Sequence, residues 1–136
     1  MLFRSKEDQT PEQEAAFKSA LEASLAAGAA VLEAGGTSVD AVAAAIRVME
    51  DNPLFNAGRG AVLTSEGKAE LDASIMDGST LAAGAVASVT RIQNPIDAAK
   101  LVMTSSPHVL FTGAGAESFW AGQGKSLVDQ IGRAHV

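Results

Sequence analysis

Cysteine is absent from this chain of 136 residues, and so is tyrosine. Without cysteine, neither a disulfide nor a thiolate metal site can form. Aromatic residues make up only 4% of the chain, which leaves little bulk for each packing contact. Positive charge is also short: 10 Lys and Arg stand against 16 Asp and Glu, for a net charge of −6. The acids are scattered and no basic stripe exists, so no face is offered to nucleic acid. No uninterrupted run of about 18 apolar residues occurs, so no membrane-spanning segment is expected. Only two histidines are present, and side chains for familiar nucleophilic or metal chemistry are few.

What is present reads as one globular domain. Hydrophobic residues make up 47% and charged residues 19%, with alanine and glycine abundant. Such a mix suits helices packed closely on a sheet. Both ends read as scars. Met1-Leu2-Phe3-Arg4-Ser5 and Ile131-Gly132-Arg133-Ala134-His135-Val136 match what sequencing adapters encode. Residues 6–130 are therefore expected to be an internal piece of a longer protein, and the end segments stay out of fold reasoning.

Thr10-Pro11-Glu12-Gln13 predicts a helix start, with Thr10 as cap, Pro11 at the first helical position and Gln13 completing a capping box. Phe17, Leu21, Leu25, Gly28, Val31 and Leu32 recur at helical spacing as its inner stripe. Gly35-Gly36 ends it. Thr37 or Ser38 caps a second helix whose inner face is Val39, Val42, Ala43, Ile46 and Met49 or Glu50. Pro53 stops it. Ala61–Thr64 and Ala69–Met76 predict a hairpin, followed by a turn at 77–80 and a strand at Ala82–Thr90. Asn94 is the expected cap of a third helix with Ile96, Ala99, Leu101, Val102 and Met103 inward. A short strand at Val109–Thr112 and a helix at Ala114–Ala121 complete an α+β order, read as an antiparallel sheet flanked by helices.

Asp72 and Asp77 lie five apart on an extended segment, so they face opposite ways, and Asp77 before Gly78 reads as a turn former. Gly113-Ala114-Gly115 lacks the third glycine and the downstream acid of a dinucleotide fingerprint. His108 has no nucleophile or metal partner at a recognisable spacing, and Phe119 and Trp120 read as packing residues. The segment Asn52-Pro53-Leu54-Phe55-Asn56-Ala57-Gly58-Arg59-Gly60 is more particular. Its two glycines permit positive φ or close backbone approach. It is either a structural turn or a loop whose carbonyls coordinate a hard cation, with Asn56 offering an amide.

The runs "NPLFNAGRGAVLTSEGKAELDASIMDG", "LAAGAVASVTRIQNPIDAAKLVM" and "SPHVLFTGAGAESF" resemble the plant-type asparaginase and isoaspartyl peptidase family of N-terminal nucleophile hydrolases. The match covers nearly all of residues 10–125 and looks like the α-subunit half of such a precursor. The resemblance implies an α/β (α+β) fold, the four-layer αββα sandwich, of which this chain supplies the N-terminal half. It implies hydrolysis of asparagine or isoaspartyl peptides by a threonine freed at the start of a β subunit through self-cleavage. That threonine is not in this chain: Thr10, Thr37, Thr64, Thr80, Thr90, Thr104 and Thr112 all lack the family's Gly-Thr-Val-Gly context.

No catalytic cofactor is implied. A structural sodium ion is, held by the backbone carbonyls of Met49, Glu50, Asn52, Phe55, Ala57 and Arg59, while Asn56 matches an accessory asparagine beside the nucleophile. The implied partners are the β subunit from the same precursor, an (αβ)2 heterotetramer and a small-molecule substrate, with no nucleic acid and no membrane. A cytoplasmic location is expected. A glycosylasparaginase-type activity, or a non-catalytic ion-binding domain on the same scaffold, are the alternatives.

Overall fold

The computed structural model describes residues 9–129. Both end segments read as scars lie outside the described residues. Four helices and three strands follow in the order α1 (Pro11–Glu33), α2 (Ser38–Glu50), β1 (Leu71–Met76), β2 (Ala83–Val89), α3 (Pro95–Ser105), β3 (Leu110–Thr112) and α4 (Gly113–Gly122), with a 3-10 turn at Gly58–Gly60.

The start of α1 matches its sequence. The Gln13 N–H donates to Thr10 Oγ1 at 3.2 Å, and the Thr10 N–H donates to Gln13 Oε1 at 3.1 Å. Thr37 caps α2 by accepting from the Asp40 N–H at 3.1 Å. The inner face of α1 differs from expectation. Ala20, Ser24 and Gly28 are the buried residues, whereas Leu21, Leu25 and Leu32 are exposed. Small residues win because α1 and α2 approach closely: a side chain at Gly28 would come within 3.1 Å of the Ala41 carbonyl oxygen. Ser24 seals the contact by donating to the Ala45 carbonyl at 2.9 Å. Val42 of α2 is also exposed rather than inward. By length and composition alone, α1 is apolar enough to cross a membrane. Much of that apolarity comes from alanine, and its small-residue face packs on α2.

The sheet has the order β1-β2-β3 and is mixed rather than wholly antiparallel. β1 and β2 pair antiparallel, and β3 joins β2 parallel through Ala85–Leu110, Val86–Phe111 and Ala87–Thr112. The parallel strand arises because α3 crosses over between β2 and β3, as parallel pairing requires. The expected strand at 61–64 reduces to one bridge, Leu63 to Ala69. The turn between them does form, with the Thr64 N–H donating to the Lys68 carbonyl at 2.7 Å.

Between Leu71 and Ala73 the register slips, so Asp72 opposes two residues, Ala87 and Ser88. Ser88 sits at φ 53°, and its N–H donates to Asp72 Oδ1 at 2.8 Å, which steadies the bulge. Leu71 and Ile75 are buried while Asp72, Ser74 and Met76 are exposed, so β1 presents one covered face and one open face. α3 covers the sheet, its backbone so close to β2 that a Cβ at Gly84 would fall 2.1 Å from the Ala99 carbonyl oxygen. The core gathers Leu71, Val86, Val89, Ile92, Val102 and Ala116, with a smaller cluster of Ala43, Ile75, Ile96 and Ala99 joining α2 to α3 and the sheet.

Candidate functional site

The loop from Asp51 to Gly60 starts where α2 stops. The Asp51 N–H donates to the Arg47 carbonyl at 2.9 Å, the Asn52 N–H donates to the Met49 carbonyl at 3.2 Å, and Pro53 follows directly. Asn52 turns the chain through its side chain, accepting from the Leu54 N–H at 3.0 Å. Phe55 meets Phe17 of α1 edge-on, with centroids 5.6 Å apart, and so anchors the loop to the helix pair. Asn56 Oδ1 accepts from the Val62 N–H at 2.9 Å and ties the two ends of the 3-10 turn together. That bond closes the loop.

Two glycines bring carbonyls onto this turn. Gly58 has φ 47°, and a Cβ there would lie 2.2 Å from the Glu50 carbonyl oxygen. At Gly60 it would lie 2.0 Å from the Phe55 oxygen and 2.7 Å from that of Pro53. The carbonyls of Met49, Asn52 and Ala57 each accept one backbone hydrogen bond, from Asn52, Phe55 and Gly60. A carbonyl oxygen has two lone pairs, so each retains one. Neutral oxygens crowded onto a glycine turn suit a hard cation of low charge. Among the described residues, no group of three or more His, Cys, Asp and Glu side chains could hold a metal ion.

Glu50 carries a second feature. Its residue is 3% exposed, and Oε1 accepts from the Ile96 N–H at 3.0 Å, which caps α3 from another element. Asn94, the expected cap, makes no side-chain cap bond. Its Nδ2 donates instead to Asp51 Oδ1 at 3.2 Å, beside Gln93 Nε2 at 3.3 Å. Glu50 and Asp51 thus clasp the start of α3 to the mouth of the loop. Burial pushes the Glu50 carboxyl up to about 7, the Ile96 N–H and the Asn94 amide pull the other way, and the charges of Asp97 and Asp51 add to the rise. The signal in the sequence was an acid at an inner-face position of an amphipathic helix, but nothing local tied it to residue 96.

A cavity of about 250 Å³ lies beside the loop, with Glu50, Asn56, Gly58, Glu70, Asp72 and Pro95 among its walls. The two aspartates stay apart in function as expected: Asp72 holds the bulge, and Asp77 accepts from the Ser79 N–H at 2.8 Å and Oγ at 2.7 Å. Those bonds lower the Asp77 carboxyl below its usual range. His108 sits edge-on to Phe111 at 5.4 Å, Phe111 stacks on Phe119 at 4.7 Å, and Trp120 Nε1 donates to the Ser126 carbonyl at 2.9 Å. All are packing contacts. Gly113, at φ 47°, makes the turn from β3 into α4. The threonines have structural partners too: Thr10 and Thr37 cap helices, Thr104 bonds back within α3, and Thr90 donates to Glu117 at 3.0 Å.

A protein-family model described as Asparaginase matches residues 3–134. An isoaspartyl peptidase of Salmonella typhimurium is 51% identical over 117 residues, covering 86% of this chain and 37% of the relative. An isoaspartyl peptidase/L-asparaginase of Rattus norvegicus is 53% identical over 94 residues, 69% of this chain and 28% of the relative. A plant-type L-asparaginase of Pyrococcus horikoshii is 56% identical over 84 residues, 62% of this chain and 28% of the relative. The chain thus spans well under half the length of the curated relatives it matches.

Proposed function

Since the chain belongs to the asparaginase family, we propose that the protein containing it hydrolyses the side-chain amide of asparagine and the β-peptide bond of isoaspartyl peptides. The observation that carries this reading is the 51% identity, across 86% of the chain, to a protein named isoaspartyl peptidase. In this reading the nucleophile is a threonine hydroxyl at the start of a second subunit, freed by self-cleavage and supplied by polypeptide outside this chain. The hydroxyl oxygen attacks the amide carbon and its proton passes to the threonine's own α-amine. The leaving amine departs with a proton, and water then opens the acyl ester to release aspartate.

The residues here act by positioning. The loop at 51–60, closed by the Asn56–Val62 bond and clasped to α3 through Glu50 and Asp51, is a rigid wall for that threonine. The Asn56 amide nitrogen is the group that would donate toward it. The carbonyls of Met49, Glu50, Asn52, Phe55, Ala57 and Arg59 would hold a sodium ion, whose chemistry there is to fix the loop by neutralising converging carbonyl dipoles. The open face of β1 and β2, with Ser74, Met76 and Ala85, would pack on the second subunit's sheet, and two such pairs would form an (αβ)2 assembly. A cytoplasmic location belongs to the same reading.

The test is direct. The complete reading frame is expressed, and aspartate release from asparagine and from β-aspartyl dipeptides is measured beside the appearance of two polypeptides. Processing together with aspartate release from both substrates is the expected result. A processed protein that turns over only glycosylated asparagine, or an unprocessed one, sinks the reading.

A further inference from the structure

Glu50 is a buried carboxylate with half its hydrogen bonding unmet. Oε1 bonds the Ile96 N–H, while Oε2 is buried with no donor at hydrogen-bond distance: the nearby Asn94 amide, which lowers the carboxyl, gives its hydrogen bond to Asp51 Oδ1. A carboxylate oxygen out of water without a donor is expensive, and buried acids are as a rule paired or multiply bonded. The ion pairs among the described residues are Arg47–Asp97, Lys68–Glu66 and Lys100–Asp40, and none reaches Glu50. The same residue lines the cavity of about 250 Å³ beside the loop. Pro95, which precedes the Ile96 that bonds Oε1, forms part of the same wall. Glu70 and Asp72 bring two further carboxyls, and no Lys or Arg contributes to the lining.

We propose that this cavity receives a cationic side chain, a guanidinium or an ammonium, which pairs with Glu50 Oε2 and is carried by the polypeptide outside this chain. The inference rests on the reading that the protein continues into a second half. Charge complementarity selects the occupant: a space walled by three carboxyls favours a cation over an apolar or anionic group. A water could donate to Oε2 but would leave the charge unbalanced.

The experiment uses the complete protein. Glu50→Gln keeps an oxygen for the Ile96 N–H, removes the charge and puts a donor NH2 where Oε2 accepted. It is expected to lower the melting temperature by several degrees, because the incoming cation is left buried without its partner. Each Lys and Arg outside this chain is then changed to Met, alone and together with E50Q. One position should couple, its cost largely vanishing in the E50Q background. A variant melting at or above the wild type, or a scan in which no position couples, overturns the proposal. An E50Q defect that added sodium alone repairs overturns it as well. If E50Q yields no folded protein, the same scan becomes a suppressor search: soluble protein recovered by one neutralisation supports the pair, and recovery by none sinks it. Self-cleavage and aspartate release are read on the wild type separately, so loss of those activities is distinguishable from loss of the coupling.

Discussion

Gly58 and Gly67 both hold positive φ, at 47° and 76°, but only one of them is crowded. A Cβ at Gly67 meets nothing within 4 Å, whereas at Gly58 it would fall 2.2 Å from the Glu50 oxygen. Gly67→Ala should therefore cost only the left-handed backbone penalty, about 1 kcal/mol. Gly58→Ala adds a clash between main-chain atoms that no rotamer can relieve, and roughly 3 kcal/mol or more is expected. Denaturant midpoints of the two variants of the complete protein measure the difference, and equal losses would show that the loop does not pack as described. Both glycines looked alike in the sequence. The distinction needed the end of α2 to fold back onto the turn.

Helix starts show how local and distant chemistry divide the same task. Thr37 caps α2 with its own hydroxyl, so Thr37→Ala should cost about 1 kcal/mol. Asn94 occupies the same position in α3 but its amide is engaged with Asp51, and the carboxylate that caps the helix comes from Glu50. Asn94→Ala should therefore cost less than Thr37→Ala, about 0.5 kcal/mol or under, since an exposed polar pair is all that is lost. A larger loss at Asn94, measured as a shift in unfolding midpoint, would return the capping role to that residue. Thr10 and Thr37 could be read correctly because their partners are three residues away. The role of Glu50 spans 46 positions and was invisible to any local rule. The inner face of α1 departs from the apolar stripe for a related reason: side-chain size ranks burial only when the neighbour's distance is known, and α2 lies too near for leucine.

At the scale of the whole molecule, helices cover one side of a three-stranded sheet. On the other side, Met76 at the end of β1 and Leu110 at the start of β3 are about half exposed. Leu21, Leu25 and Leu32 are exposed on α1 as well. Apolar surface on this scale, together with an unpaired strand edge at β1, favours association. The chain expressed by itself is expected to bind a hydrophobic dye and to elute from a sizing column as aggregates. A monomer with a sharp cooperative melt and no dye binding would contradict this.

The sequence by itself determined the family, the α+β class, the helix cap at Thr10 and, to within one residue, that at Thr37, and the two turns around residues 65 and 78. The caps and turns are encoded by residues within a few positions of one another, where spacing and turn chemistry suffice, and the family by runs of sequence that need no folding to be matched. Tertiary structure decided the rest: the parallel placement of β3, the loss of the 61–64 strand, the small-residue contact between the first two helices, and the clasp from Glu50 and Asp51 to α3. Those features depend on which backbones lie within a few ångströms after the chain has crossed over, and one-dimensional periodicity carries no such distance.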